Sequence, residues 1–309
     1  MTLTVTEPIA ITPAMVTHHG VSALDPSPLW VSGSTYAKGD LAHRAETHYV
    51  YRRINAGSGT AAPEDDTANW QRLRPVNKYA MWDFYKSTPT RFEGADLVVK
   101  FVPGKRVDTL AVYGATGTAV TVECKVSGAT IYGPEIRPLQ KRFVSGWLDW
   151  FTAPFTQVKA TAFTDLPMVS GMEITVTITQ SGGVAACQYM VCGRAEPVGG
   201  VEWDPQDTGT NFSKIEREFD GSLEPGVSLI PRRTVPKAVM TVIVPAANVN
   251  RARALRERLN AVPALWNGIS DKPFSNYYES VLIFGIYRNW DFSPSNVHFA
   301  KSALEVEEI

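Results

Sequence analysis

The sequence predicts a mainly β, multidomain protein. Runs typical of strands, separated by glycine and proline turns, fill the middle of the chain, and a clear helical pattern occurs only near its C-terminal end. A length of 309 residues accommodates two or three domains, and 44% apolar residues with 20% charged ones exclude a wholly disordered chain. The predicted order is an N-terminal arm (1–23), a small β domain (24–75), a β-sandwich (76–200) and an α+β domain (201–309).

The small domain is rich in aromatic rings and poor in aliphatic residues. Its central stretch reads STYAKGDLAHRAETHYVYRRINAGSGTAAPEDDTANW, residues 34–70. Two alternatives stay open: the rings form the core of a very small fold, or they form a surface on which a flat ligand stacks. The first favours Trp30, Tyr36 and Trp70 as core residues; the second makes Tyr49, Tyr51 and Trp70 the candidate ligand-binding residues.

Residues 76–200 carry the clearest strand patterns. In MEITVTIT, Met172, Ile174, Val176 and Ile178 alternate with polar residues, which predicts a half-buried antiparallel strand. The run VAACQYMVCG is apolar on both faces and predicts a central strand. GATG at 114–117 predicts a tight hairpin turn, and WLDW at 147–150 predicts a strand with core tryptophans and an outward Asp149.

Residues 201–309 combine strands with one helix. KAVMTVIV, ended by Pro245, and YESVLIFGIYRNW are predicted strands, and SALEVEEI is a third. Apolar residues at helical spacing in NVNRARALRERLNAV predict a helix, with Asn248 as its cap and Pro263 as its stop. One sheet with one helix packed on it is the predicted layer arrangement.

Composition and spacing narrow the chemistry. A net charge of −1 argues against a nucleic-acid-binding surface, and no apolar run approaches the roughly 20 residues of a membrane span. The N-terminus has no basic segment followed by an apolar core, so no secretory signal is expected. The three cysteines are expected to be buried, reduced thiols, as in a reducing cytosol. The spacing of the five histidines predicts no metal site, and no cofactor is expected. Four arginines of the predicted helix, 251, 253, 256 and 258, are expected to form a solvated face or to meet an acidic partner, not to bind phosphates.

A glycosidase would need a pair of carboxylates across the scissile bond, and no such pair is evident. Phosphate-loop and nucleophile-elbow motifs are absent as well. The chain is therefore expected not to be an enzyme. The acidic residues weighed for such a pair are Glu64, Asp65, Asp66, Asp83, Asp149, Asp165 and Asp204.

The aromatic stretch resembles the chitin-type carbohydrate-binding modules found at the ends of bacterial chitinases. The matching positions are Trp30, Tyr36, Gly39-Asp40, Tyr49 or Tyr51, Pro63 and Trp70. The resemblance implies a module of about 50 residues whose rings serve largely as its core, with one or two rings available to stack on sugars.

Nearly the whole chain, from Ile11 to Glu308, also resembles a family of tailed-phage and prophage virion proteins. The resemblance lies in the order of ITPAMV, NKYAMWDFYKSTPT, VDTLAVYGATG, WLDWF, VCGRAEPVG and ALWNG…YYESVLIFGIYRNW. It implies a carbohydrate-module-like unit, a galactose-binding-like β-sandwich and a C-terminal α+β domain. Asn77 and Asp83 match one motif and are expected to hold turns through side-chain-to-backbone hydrogen bonds.

Three functions follow from these resemblances. The first is a structural tail-tip or baseplate protein, assembled in the host cytoplasm, whose partners are other tail proteins and copies of itself. The second is an adsorption protein that binds a host-surface glycan, with Tyr49, Tyr51 and Trp70 as the contact residues. The third is a glycan-degrading enzyme with an accessory module. The first is the function we expect.

Overall fold

The computed structural model describes residues 1–21, 25–84, 87–142, 144–180, 182–203, 205–218, 226–270 and 278–309. Strands make up 52% of the structure and helices 10%, and the strands are distributed over several sheets. This confirms the prediction of a mainly β, multidomain protein.

The strands of the described residues are, in chain order, β1 (Thr2–Pro8), β2 (Val16–His19), β3 (Thr35–Tyr36), β4 (Leu41–His43), β5 (Tyr49–Arg53), β6 (Gly57–Ser58), β7 (Trp70–Pro75), β8 (Thr90–Glu93), β9 (Leu97–Phe101), β10 (Thr109–Tyr113), β11 (Ala119–Val126), β12 (Ala129–Pro138), β13 (Gln140–Arg142), β14 (Phe155–Gln157), β15 (Ala160–Phe163), β16 (Glu173–Thr179), β17 (Val184–Cys187), β18 (Tyr189–Val201), β19 (Gln206–Asn211), β20 (Lys214–Glu218), β21 (Gly226–Ile230), β22 (Thr234–Pro245), β23 (Ala264–Asn267), β24 (Leu282–Pro294) and β25 (Phe299–Glu308). The α-helices are α1 (Trp147–Thr152) and α2 (Val249–Arg258), and 3₁₀ turns cover Pro13–Met15, Asn77–Trp82 and Ala246–Asn248.

The chain divides into two compact units. One consists of Ile9–Gly193, and the other of Met1–Pro8 together with Arg194–Ile309. The prediction of a separate arm over residues 1–23 needs correction, because β1 pairs with β23 in antiparallel register inside the second unit. The described part of residues 9–23 belongs to the first unit, where β2 pairs with β9.

The Ile9–Gly193 unit contains a β-sandwich. One sheet has the strand order β12-β11-β16-β9-β2, while β10 pairs with β15 and with the first residues of β18. Side chains from both sides share one apolar core, for example Phe101 and Ile174 from the first sheet and Leu110 and Phe163 from the second. Strand β16 buries every second residue, which fits the predicted half-buried antiparallel strand, whereas β10 and β15 are buried at every position.

Two local predictions in this unit are wrong. GATG does not close a hairpin, because β10 and β11 belong to different sheets and the segment crosses from one to the other. WLDW is not a strand with core tryptophans: residues 147–152 form α1, and none of its side chains is buried. The apolar spacing of a run as short as WLDW matches a strand or a helix equally well, so periodicity alone does not separate the two.

The other unit is an α+β layer, as predicted. Its described strands follow the order β1-β23-β24-β25-β22-β19, and the end of β18 pairs with β22 at Gly200 and Val201. Helix α2 buries Ala252 and Leu255. Two further strands, β20 and β21, form a separate two-stranded ribbon.

The ends of α2 differ from the prediction. Asn248 makes no side-chain capping hydrogen bond and already has helical dihedral angles, because a 3₁₀ turn leads directly into α2. The helix ends at Arg258, five residues before Pro263. Just after the helix, the Leu259 N–H bonds to the Leu255 carbonyl, and Ala261 has a positive φ of 57°. The backbone therefore turns out of the helix ahead of the proline.

At Gly285 in β24, the backbone of the neighbouring strand β25 leaves no room for a side chain. A Cβ there would collide with the Glu307 carbonyl oxygen and lie 2.9 Å from the Glu308 Cα, both in β25. Because backbone atoms cannot rotate away, Gly285→Ala is expected to lower the free energy of unfolding by about 1–3 kcal/mol. Urea denaturation of the full chain measures this, with Gly59→Ala as control, since a Cβ at Gly59 meets no atom within 4 Å. Equal losses in the two variants would contradict the prediction.

Candidate functional site

The aromatic rings of the small module meet in a core of their own. Tyr51 and Trp70 are 4% and 3% exposed and pack with Ala42, while Tyr36 and Tyr49 lie partly buried against them. The rings of Tyr36 and Trp70 meet edge to face at 4.9 Å between centroids. A short chain with three small strands has little aliphatic area to bury, so these rings supply the apolar core.

Arginine side chains cover the outer faces of several of these rings. The Arg72 guanidinium lies 3.6 Å from the centroid of the Tyr49 ring, and Arg53 lies 5.1 Å from that of Trp70. Arg53 is itself buried and pairs with Asp66 at 3.6 Å. Such cation–π contacts hold the rings in place and occupy faces on which a sugar would stack.

The three predicted ligand-binding residues therefore lie close together but do not form an exposed platform. Tyr51 and Trp70 present almost no surface to solvent, and the Tyr51 hydroxyl donates to Thr47 Oγ1 at 3.2 Å. Tyr49 alone is partly exposed, and Arg72 covers one of its faces. Stacking on a glycan needs a free ring face, so burial leaves Tyr49 as the one ring of the three that remains a candidate.

The Gly39-Asp40 pair builds a turn. Gly39 has a φ of 97°, and the Asp40 carboxylate accepts the Ala37 N–H at 2.7 Å. A positive φ favours glycine, and an Asp side chain that bonds nearby backbone closes the turn. This part of the motif is structural in the module.

A buried carboxylate joins the beginning of the module to its end. Asp25 accepts from both terminal nitrogens of Arg74, at 2.9 and 3.1 Å, and from the Asn77 N–H at 3.1 Å. The Ser27 N–H and hydroxyl donate to it as well. Burial acts to raise the pKa of Asp25, but the hydrogen bonds from Arg74 and Ser27 outweigh it, and the pKa lies below its usual value.

Asn77 and Asp83, which match a motif of the phage-protein resemblance, also make structural hydrogen bonds. The Asn77 amide pairs in both directions with the Arg91 backbone, donating to its carbonyl at 2.8 Å and accepting its N–H at 2.9 Å. This agrees with the expected side-chain-to-backbone role, although the partner is a strand fourteen residues away. Asp83 accepts from Thr88 Oγ1 at 2.7 Å.

Three of the other candidate carboxylates have polar partners nearby. Glu64 forms an ion pair with Arg44, and Asp66 accepts a hydrogen bond from Asn69 and forms an ion pair with Arg53. Asp149 accepts from the Ser145 backbone and hydroxyl at the start of α1. Asp65 is exposed, and Asp204 lies outside the described residues.

Sequence reasoning missed one polar network on the sandwich. The Tyr132 hydroxyl lies between Glu135 Oε2 and Asp165 Oδ1, the latter at 2.7 Å. Arg137 donates to Glu135 Oε1 at 2.8 Å, and its guanidinium lies 4.3 Å from the Phe163 ring centroid. Burial acts to raise the pKa of Glu135, but bonds from Tyr132 and Arg137 lower it overall, so this carboxylate is charged and serves as an anchor. The sequence signal for this contact is the spacing of Glu135 and Arg137, because residues two apart in a strand such as β12 lie on the same face.

The arginines of α2 meet acidic side chains of the same unit. Arg258 pairs with Glu196 and, at 3.1 Å, with Glu7 of β1, and Arg251 pairs with Glu196. Glu257 pairs with Arg256. In the acidic closing strand, Glu305 and Glu307 pair with residues outside α2: Lys237 and Arg288.

The described residues contain no cluster of three or more His, Cys, Asp and Glu side chains able to hold a metal ion. His43 Nδ1 lies 2.7 Å from the Ser27 carbonyl oxygen, and burial lowers the pKa of His19 to about 3. The cysteines are free and buried, and burial raises the pKa of Cys187 and Cys192 to about 12. No described helix has the length and apolarity needed to cross a membrane.

Among the described residues, the largest group of exposed aromatic side chains lies in the Ile9–Gly193 unit, in residues 144–155, which we call the aromatic loop. It connects β13 to β14, which pair with each other in antiparallel register, and it contains α1. Its large exposed side chains, with their exposed fractions, are Val144 (42%), Trp147 (81%), Leu148 (69%), Trp150 (63%), Phe151 (64%) and Phe155 (61%).

Polar contacts within and beside the aromatic loop hold its backbone. Asp149 caps the loop through Ser145, and the Thr152 hydroxyl donates to the Leu148 carbonyl at 2.9 Å. Arg142 donates to the Trp150 carbonyl at 2.6 Å, and its guanidinium lies 4.3 Å from the Phe155 ring centroid. The loop therefore presents its large apolar side chains to solvent on a defined backbone.

No known protein-family model matches the chain, and no curated protein and no solved structure shows significant similarity to it.

Proposed function

We propose that this chain is a structural protein of a tailed-phage virion, located at the tail tip or baseplate, where it joins copies of itself and other tail proteins. The proposal assigns no catalytic role to any residue. It rests on the order of the motifs from Ile11 to Glu308 that resemble tail proteins. It also rests on the distribution of aromatic rings between the small module and the aromatic loop.

The observation that carries the proposal is the exposed aromatic loop. Contiguous apolar patches larger than a few hundred Å² mark interaction surfaces on soluble proteins. The module rings that would bind a glycan are instead packed in its core, with Tyr51 and Trp70 less than 5% exposed. The molecule thus offers a surface for assembly more readily than a platform for sugar.

Immunogold electron microscopy tests the proposal. Antibodies against the purified full chain are applied to tailed particles produced by the bacterium whose genome or prophage encodes it. Labelling concentrated at the distal end of the tail is the expected result. Particles that carry no label there, although the same antibodies detect the chain in the lysate, would overturn the assignment to the tail tip.

A further inference from the structure

We infer that the aromatic loop is the contact surface between two copies of this chain. The inference rests on the proposed function, since it names the partner that one surface of the proposed assembly protein would take. It follows from the orientation, the area and the charge of the loop.

The helix in the loop has its apolar side turned outward. At 100° per residue, Trp147, Leu148, Trp150 and Phe151 occupy one arc of about 160°, and Asp149 lies on the opposite side. The ring of Trp147 meets that of Phe151 edge to face at 5.0 Å. An isolated helix of six residues is marginal in water, and an apolar arc facing solvent does not stabilise it. A partner that covers this arc would remove both costs.

The exposed aromatic area of the loop is about what one partner contributes to a small protein–protein interface. Four aromatic side chains, 61–81% exposed, present roughly 500 Å² if each has about 200 Å² of surface. Two copies facing each other would bury about 1,100 Å² from these rings alone, before Val144 and Leu148 are counted. Stable protein interfaces begin at about this total.

The charge of the loop selects a copy of the same chain over a charged partner. Asp149 is the one charged residue within 144–155, and its carboxylate is bound by Ser145 on the side away from the apolar arc. The flanking Arg142 is directed at Trp150 and Phe155 of the loop itself. A neutral apolar surface meets its own copy without like-charge repulsion, as a two-fold contact requires. Residues 144–155 contain no Lys or Arg that would attract an anionic membrane, the basic flank is limited to Lys141 and Arg142, and the net charge of −1 adds no attraction.

Sedimentation velocity on the full chain, over a concentration series, tests the inference. The wild-type chain is expected to form dimers, and the double variant Trp147→Ser/Phe151→Ser to raise the dissociation constant at least about thirtyfold. Ile136→Ser is the matched control, because Ile136 is 64% exposed on β12 of the same unit. Circular dichroism confirms that each variant is folded.

A charge-swap pair makes the test specific for a contact between copies. Leu148→Glu and Leu148→Lys, each alone, are expected to remain monomeric because like charges face each other across the two-fold axis. An equimolar mixture of the two is expected to recover dimers, since the charges are then opposite.

Three results would overturn the inference. They are a wild-type chain that stays monomeric at about 100 μM, dimers that persist in the double variant, and a mixture that shows no recovery. Cosedimentation of a monomeric wild-type chain with vesicles of phosphatidylcholine and phosphatidylglycerol would assign the loop to a membrane surface and likewise overturn it. None of these results changes the immunogold labelling, so the inference and the proposed function fail separately.

Discussion

Replacing Trp70 by alanine is expected to unfold the small module while the β-sandwich stays folded. Truncating a buried tryptophan costs about 3–5 kcal/mol. A module of about 50 residues is expected to have a total stability of only about 3–8 kcal/mol. Trp70 packs with Tyr51, Tyr36 and Ala42 in a separate cluster from the sandwich core, so the loss is confined to the module.

Hydrogen exchange of the full-length Trp70→Ala variant, followed by mass spectrometry, measures this regionally. Amides of β4, β5 and β7 are expected to lose protection, and those of β11 and β16 to keep it. Trp147→Ala serves as control in dilute solution, because a side chain that is 81% exposed contributes little to stability.

The glycan-binding hypothesis leads to a different outcome for Trp70→Ala. If Trp70 were a ligand contact, the variant would keep native protection in β4, β5 and β7 and lose affinity for chitin oligosaccharides. Native protection in the variant would therefore contradict the role of Trp70 in the core, whatever its affinity for sugar.

Replacing Asp25 by alanine is expected to cost about 2–4 kcal/mol of unfolding free energy. Its side chain has no exposed surface and accepts hydrogen bonds from Arg74, Ser27 and Asn77. The Arg74 side chain is 32% exposed, so its charge loses a partner but keeps contact with water. The Ser27 and Asn77 backbone N–H groups lose their acceptor at the same time.

Urea denaturation at neutral pH measures this loss. The control is Asp65→Ala, because Asp65 is an exposed carboxylate of the same module. This control is expected to change the free energy of unfolding by no more than about 0.5 kcal/mol. Arg74→Ala and the double variant complete a mutant cycle that isolates the pair. Equal stabilities of Asp25→Ala and Asp65→Ala would contradict the role of Asp25.

The pH dependence of the same contact has a defined sign. Because the pKa of Asp25 in the folded protein lies below its usual value, the carboxylate adds stability above the unfolded pKa of about 3.9. That contribution is lost as the pH falls through the lower, folded pKa. The stability difference between the wild-type chain and Asp25→Asn is therefore expected to shrink below about pH 4. A difference that stays constant into this range would show that ionisation of Asp25 does not stabilise the module.

Strand patterns with long-range alternation were predictable from sequence. The alternation in β16 requires one face toward a core, and the helical spacing in α2 places Ala252 and Leu255 on one face. Both signals are periodic over seven or more residues, long enough to separate a period of 2 from a period of 3.6.

Short turns and contacts between residues far apart in the sequence were not predictable in the same way. The GATG turn connects different sheets, and β1 pairs with β23, which comes from the opposite end of the chain. The Tyr132–Glu135–Asp165 contact joins residues 33 positions apart. Local residue preferences carry no information on such long-range pairings.

The sequence by itself determined the mainly β class, the presence of the helix α2 and the aromatic character of the small module. Only the tertiary structure decided which rings are buried: Trp70 is enclosed by its module, while Trp147 and Phe151 face solvent. The physical reason is that a tryptophan gains the same transfer free energy from any apolar surroundings. Its place in a core or on a surface depends on what the rest of the fold packs against it.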